Sequence, residues 1–318
     1  MQALNMIEIT VILMSRNRPE MAIVAIESIL SQSTVNFNFI ISDNSTDYSL
    51  KRIVQAKYPS IEYISWYPGV GVADHFSYAR KLAKTQYLVM FHDDDIMEHN
   101  YIEKILLYFK LNPDVGAIGT NGVFINSLNE KIGLSTLFAG AGEFICLKQP
   151  SELVTKYLTA AAGGVAPFSS YAYNLTVIHD TYLNWNTGRN YCDTVFLCSI
   201  VSRSKIIWIN EPLVRIRFDN DRISSRSGVR DYKAFINIAR TIENVSDQHL
   251  DEYHFSHLLH ELKRRRKFRY PSLKYLICMS IKLMATSENF RKRTIRYVYN
   301  RFNGVLLMHH IFPEHPTK

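Results

Sequence analysis

At 318 residues, 47% hydrophobic and 21% charged, the chain has the composition of a folded globular protein, with room for one large domain and an appendage. Four cysteines without CxxC spacing argue against a disulfide framework or a thiolate zinc site and fit a reducing compartment. The net charge of +8 is uneven: from residue 263 to 301 thirteen Lys and Arg face only Glu288, giving +12 there and leaving −4 for the rest.

The first apolar, β-rich run, residues 8–14, is too short for a signal-peptide core and predicts a strand. Arg18-Pro19-Glu20 opens a helical pattern with Ile23, Ile26, Ile29 and Leu30 on one face, and Pro19 suits a first helical turn. Residues 39–41 predict a second buried strand, and Ser45-Thr46-Asp47 offers caps for a helix running to Tyr58. A third strand over 61–66 precedes a turn at Gly69 and Gly71 and a helix to about Lys84. The apolar run Tyr87-Leu88-Val89-Met90-Phe91 then ends in His92-Asp93-Asp94-Asp95. A helix over 100–111 stops before Pro113, and 115–119 predicts another short strand. Strands alternating with helices imply an α/β, mostly parallel sheet flanked by helices, in which ligands bind outside the carboxyl ends of the strands. Ser15, Arg16, Asp43, Asn44 and the acidic run all fall at such ends.

Three adjacent carboxylates at the end of a buried strand repel one another unless a cation neutralises them. Mg²⁺ and Mn²⁺ prefer oxygen ligands and commonly join one or two carboxylates to substrate phosphates. A metal–diphosphate site and a solvated acidic loop are the two readings of the run taken alone.

Its company favours the first. Residues 9–12 with Arg16-Asn17-Arg18-Pro19, then the segment 40–47, Gly69 to Phe76 with Ala79, the acidic run, Asn190 to Leu197, and Glu211 to Arg217 resemble, in order and spacing over about residues 7–225, the family 2 inverting glycosyltransferases. The resemblance implies a GT-A fold, Rossmann-like, over residues 1–228, with a helical appendage over 229–318. It implies transfer of a sugar from a nucleotide-sugar, by family habit a UDP-sugar, to the hydroxyl of a glycan or undecaprenyl-diphosphate-linked acceptor, in a polysaccharide or O-antigen setting. Under it Asp43 binds the nucleobase, with an Asx-turn as the local alternative. Arg16 contacts nucleotide or phosphate, and Arg80 approaches the diphosphate unless it is a surface-helix residue. Asp94 or Asp95 is the direct ligand of Mn²⁺ or Mg²⁺, with Asp93 turned to ribose or supporting the ligands, and His92 either a ligand or structural. Asp193 is the general base, or a helix cap, or both. Two departures from the family stand out: Cys192 replaces the usual acid before Asp193, and Asp219 stands near a position often held by His, where it would be a further metal ligand. The small-residue run 160–167, residues 168–171 and Trp185 are candidates for the acceptor region.

The last third predicts a helix over 231–262 with Phe235, Ile238, Ala239 and Ile242 on one face, then basic amphipathic segments beyond Pro271. Such helices lie on anionic membrane surfaces. The expectation is a cytoplasmic protein held peripherally on the inner face of the membrane, with no nucleic acid as partner. A nucleotidyltransferase would want a glycine-rich loop after the first strand, which Arg16-Asn17-Arg18-Pro19 does not supply. A nucleic-acid-binding protein would use the basic tail alone, with strongly salt-dependent affinity.

Overall fold

A computed structural model describes residues 7–135, 142–159, 168–184, 191–218, 229–263 and 270–311. The chain divides into two compact units, residues 1–243 and 244–318.

The first unit is built on a ten-stranded sheet among the described residues. Its parallel part runs β3 (Glu62–Ser65), β2 (Asn38–Asp43), β1 (Ile9–Ser15), β4 (Tyr87–His92). β1 and β4 carry continuous Ile, Val, Leu, Met and Phe runs because both faces are covered: Ile9, Val11, Ile12, Leu13, Leu88, Val89 and Phe91 are all fully buried. The covering helices are α1 (Pro19–Leu30), α2 (Ser49–Lys57), α3 (Val72–Leu82) and α4 (Tyr101–Leu111). Pro19 occupies the first turn of α1, where its missing N–H costs nothing. Ala22, Ala25, Ile26 and Ile29 form the buried stripe of that helix.

Beyond β4 the sheet becomes mixed. The order continues β9 (Tyr171–Asn174), β6 (Val115–Ile125), β10 (Lys205–Arg217), β5 (Ile96–Met97), with β7 (Lys131–Ser135) on β6 and β8 (Phe144–Leu147) on β10. β6 and β10 are parallel to each other, whereas β9, β5, β7 and β8 pair antiparallel with their neighbours. The parallel character expected from sequence thus belongs to β3-β2-β1-β4 and the β6–β10 pair.

The strand expected over 115–119 continues to Ile125 through Gly119 and Gly122, which look like breakers in sequence. A Cβ at Gly119 would lie 2.6 Å from the Trp208 ring and 2.7 Å from Tyr171. At Gly122 it would lie 2.5 Å from Ile216. Large side chains on neighbouring strands fill the space, so these glycines keep the strand rather than end it.

Downstream lie α5 (Pro150–Thr159), the 3₁₀ turn Phe168–Ser170, α6 (Cys192–Val201) and α7 (Val229–Thr241). The helix expected over 231–262 is two: α7, and α8 (Asp247–Lys263) in the second unit. Asn244 separates them with φ of 65°, a left-handed conformation that asparagine tolerates, and Ser246 pairs with His249 at the start of α8. The division between units therefore falls after Glu243 rather than at 228, because α7 buries Tyr232, Phe235, Ile236 and Ala239, and Phe235 stacks on Tyr191 beside α6 at 4.4 Å.

The second unit packs α8, α9 (Tyr270–Thr286) and α10 (Glu288–Ile311) together. Phe255 of α8 meets Phe290 and Tyr297 of α10, and His254 bonds Ser280 of α9 at 3.0 Å. Ile277, Ile281 and Met284 of α9 and Ile295 and Val298 of α10 stay exposed among Lys274, Lys282, Lys292 and Arg296. No helix of the described residues is long and apolar enough to cross a membrane.

Candidate active site

Parallel pairing places Ser15 opposite Asp43 and Met14 opposite His92, so the ends of β2, β1 and β4 meet along one edge. The loops there are tied to one another. Asn17, at a left-handed φ of 54°, accepts from the Thr46 N–H at 2.8 Å, while its own N–H donates to Ser45 Oγ at 2.8 Å. The Asn44 side chain pairs with both the N–H and the carbonyl of Val70. Gly69 takes the φ of 106° that this turn requires.

The acidic run splits into two groups. Asp93 turns back on β1: its Oδ2 accepts from Ser15 Oγ at 3.0 Å and from the Arg16 N–H at 2.8 Å. Burial pushes its carboxyl up to about 7; Asp94 adds to this, while the two hydrogen bonds and Arg18 oppose it. Asp94 and Asp95 stand instead with His92, offering three ligand atoms within 4.8 Å of one another. Two carboxylate oxygens and an imidazole nitrogen form a donor set that would hold a divalent ion. Arg18 shows that a cation is at home there, its guanidinium 2.7 Å from Asp94 Oδ2 and 3.6 Å from Asp93 Oδ1.

The acidic turn is held from outside by Arg217 at the end of β10. Its N–H donates to Asp95 Oδ1 at 3.1 Å and its Nε to the Asp94 carbonyl at 3.1 Å. The rest of the buried guanidinium caps the turn after β6, donating to the Asn126 carbonyl at 2.7 Å and to Asn129 Oδ1. His92 is fixed by its N–H to Ser169 Oγ at 3.1 Å and by Phe168, stacked on its ring with centroids 6.1 Å apart.

Asp43, 1% exposed, makes the Asx-type turn considered from sequence: its Oδ1 accepts from the N–H and Oγ of Ser45, at 3.0 and 2.5 Å. Its Oδ2 accepts from the Tyr63 hydroxyl. A carboxylate has about four acceptor positions, so one remains. The exposed aromatic pair Tyr48 and Tyr67 stacks beside this region at 4.5 Å.

Asp193 lies in the first turn of α6, inside the helix rather than capping it. Its Oδ1 accepts from the Thr194 N–H at 2.7 Å. Burial raises its carboxyl, opposed by the Thr194 bonds. Tyr157 of α5 and Tyr171 and Tyr173 of β9 are close enough for its charge to raise their hydroxyls, which burial already raises most. These three hydroxyls are buried without a hydrogen bond of good geometry. Burial also pushes the neighbouring Cys192 thiol up to about 12, so a neutral group stands beside Asp193. Phe168 links the two regions: it stacks on His92 and lies 6.4 Å from Phe196 of α6.

Other sequence candidates are placed differently. Arg16 contributes its backbone N–H to Asp93, with its side chain exposed at the same edge. The Arg80 guanidinium is engaged by the loop after β9, donating to the carbonyls of Ile178 at 2.9 Å, Thr181 and His179, and lying 4.5 Å over the Tyr182 ring. Asp219, Trp185 and the run 160–167 lie outside the described residues. Arg18 and Arg217 lay within the resembling segments and Ser169 among the acceptor-region candidates, but the contacts these three make, and any site role for Tyr63, join distant segments and were not legible.

Known proteins agree with this architecture. The solved structure of residues 1–349 of S. aureus TarS in complex with UDP-GlcNAc superposes with a TM-score of 0.61 at 15% identity, covering 89% of this chain and 82% of that one. The structure of the same TarS fragment with UDP gives 0.56 at 13% identity, covering 78% and 72%. The longer TarS structure gives 0.56 at 14%, covering 82% of this chain but 46% of that one. No curated protein matches the sequence. Residues 10–161, which hold β1 to β4 and the whole acidic run, match the model of glycosyl transferase family 2. The chain is accordingly a glycosyltransferase whose residues 10–161 match family 2, built on a GT-A-like α/β fold.

Proposed function

We propose that the protein transfers a sugar, with inversion, from a nucleotide-sugar to a hydroxyl of a glycan or a lipid-diphosphate-linked glycan. The observation that carries this reading is the grouping of His92, Asp94 and Asp95 at the carboxyl edge of β4, beside Asp43 at the edge of β2. A UDP-sugar is the favoured donor, in line with the UDP and UDP-GlcNAc held by TarS.

In this reading Asp43 offers its remaining acceptor position to the base, and exposed Arg16 faces the phosphates. His92, Asp94 and Asp95 hold Mn²⁺ or Mg²⁺, with Asp219 a further candidate ligand. Asp93 sets the β1 and β4 loops against each other through Ser15 and Arg16. The metal supplies Lewis-acid stabilisation of the departing nucleoside diphosphate. Asp193 accepts the acceptor's hydroxyl proton as the new O–C1 bond forms and the C1–O bond to phosphate breaks. Its raised carboxyl suits that task, since a more basic carboxylate takes a hydroxyl proton more readily. The exposed apolar and basic side chains of α9 and α10 rest on an anionic membrane surface, where a lipid-linked acceptor would be presented.

Asp193→Asn tests the assignment. Turnover should fall about 100- to 10,000-fold, with UDP affinity in Mn²⁺ within about twofold of wild type. Normal turnover would rule Asp193 out as the base.

A further inference from the structure

We propose that Arg18 is an exchanging counter-ion: it neutralises the acidic run before the donor arrives, then moves to the diphosphate once a divalent ion takes Asp94. The inference rests on the metal–donor reading above. Asp93 is almost fully buried, and the Asp94 side chain keeps only 14% exposure. Two such carboxylates side by side need a cation nearby. Arg18 meets that need from a half-buried position in the loop between β1 and α1.

The same contact competes with a divalent ion for the Asp94 carboxylate. The guanidinium sits 2.7 Å from an oxygen of the very carboxylate that groups with His92 and Asp95. A metal on that oxygen would meet a second positive charge at contact distance. Arg18 can yield, because its backbone carbonyl is fixed by Ala22 at the start of α1 while its side chain is 35% exposed. Buried Arg217 serves a different purpose, with its donors spread over Asp94, Asn126 and Asn129. When Arg18 leaves Asp94, the nearest new anions are the phosphate oxygens that the metal brings. A planar guanidinium matches phosphate with two parallel hydrogen bonds. The exchange makes occupation of the metal site costly without the diphosphate and favourable with it, so metal and donor bind together.

The signature is a pair of effects with opposite signs. Calorimetry would follow Mn²⁺ alone, then UDP in saturating Mn²⁺, for wild type, Arg18→Ala and Arg18→Lys, with thermal unfolding as the check on folding. Arg18→Ala should bind Mn²⁺ alone up to about fivefold more tightly, the scale of a partly exposed ion pair. It should bind UDP with Mn²⁺ about tenfold or more weakly, the scale of a charge-assisted hydrogen bond. Arg18→Lys should restore the Mn²⁺ affinity of wild type and recover only part of the UDP affinity. An Arg18→Ala protein whose UDP affinity is unchanged, or whose two affinities weaken together, overturns the exchange. Wild-type protein that binds neither Mn²⁺ nor UDP overturns the metal reading itself, and the exchange with it.

Discussion

The partial burial of Asp193 near Tyr157, Tyr171 and Tyr173 has a kinetic consequence. A general base works only when deprotonated, so activity is lost as pH falls through its pKa. Because the carboxyl is raised, the acid limb of kcat/KM should have its midpoint above 3.8, the ordinary value for Asp. A pH–rate profile flat to below that value would contradict the assignment. Residue chemistry was the part of the site most legible in sequence: carboxylates are dear to bury, and Asp43, the acidic run and Asp193 all announce themselves. What sequence hid was their division of labour. Asp93, Asp94 and Asp95 are alike on paper, but Asp93 is drawn to Ser15 and Arg16 while the next two turn toward His92. Local reading also left Asp43 open between turn and ligand; Ser45 makes the turn, and one acceptor position remains.

At the scale of elements, β1 to β4 and their helices were legible because the strands centre on short apolar, β-rich runs and the helices between them alternate with those runs. β9 and the second half of β6 were not. Four residues, Tyr171 to Asn174, carry no period of their own, and β9 exists because β4 and β6 flank it. Residues 119–122 of β6, Gly-Thr-Asn-Gly, are poor strand formers, held by Trp208, Tyr171 and Ile216 packing onto absent side chains. Gly119→Ala should therefore destabilise the first unit by about 1–3 kcal/mol through overpacking, read as a lower urea midpoint. An unchanged midpoint would mean that Trp208 yields without cost. α7 illustrates the same dependence on distant contacts: its register was plain, but its membership in the first unit rests on Phe235 meeting Tyr191.

For the whole molecule, charge is the guide. A segment of +12 follows a body of −4, and in the second unit exposed Lys274, Lys282, Lys292 and Arg296 surround exposed Ile277, Ile281 and Ile295. Each basic side chain near an anionic surface contributes about 1 kcal/mol, and salt screens it. The full chain should co-sediment with vesicles containing phosphatidylserine and come off as salt is raised, whereas residues 1–243 alone should stay in solution. Equal sedimentation of the two would remove the second unit from membrane binding. Nucleic acid that competes as well as vesicles would favour the other anionic partner. The unit boundary itself was not legible: the expected helix ran unbroken over 231–262, whereas Asn244 takes a left-handed conformation between α7 and α8.

The central claim is that the acidic run holds the donor's diphosphate through a divalent ion. Calorimetric titration of UDP into wild type and the Asp94→Ala/Asp95→Ala double variant, with and without Mn²⁺, tests it most directly. Wild type should bind UDP only when Mn²⁺ is present, and the double variant should lose that metal-dependent affinity while remaining folded. Equal UDP affinity of the two proteins in Mn²⁺ would contradict the account.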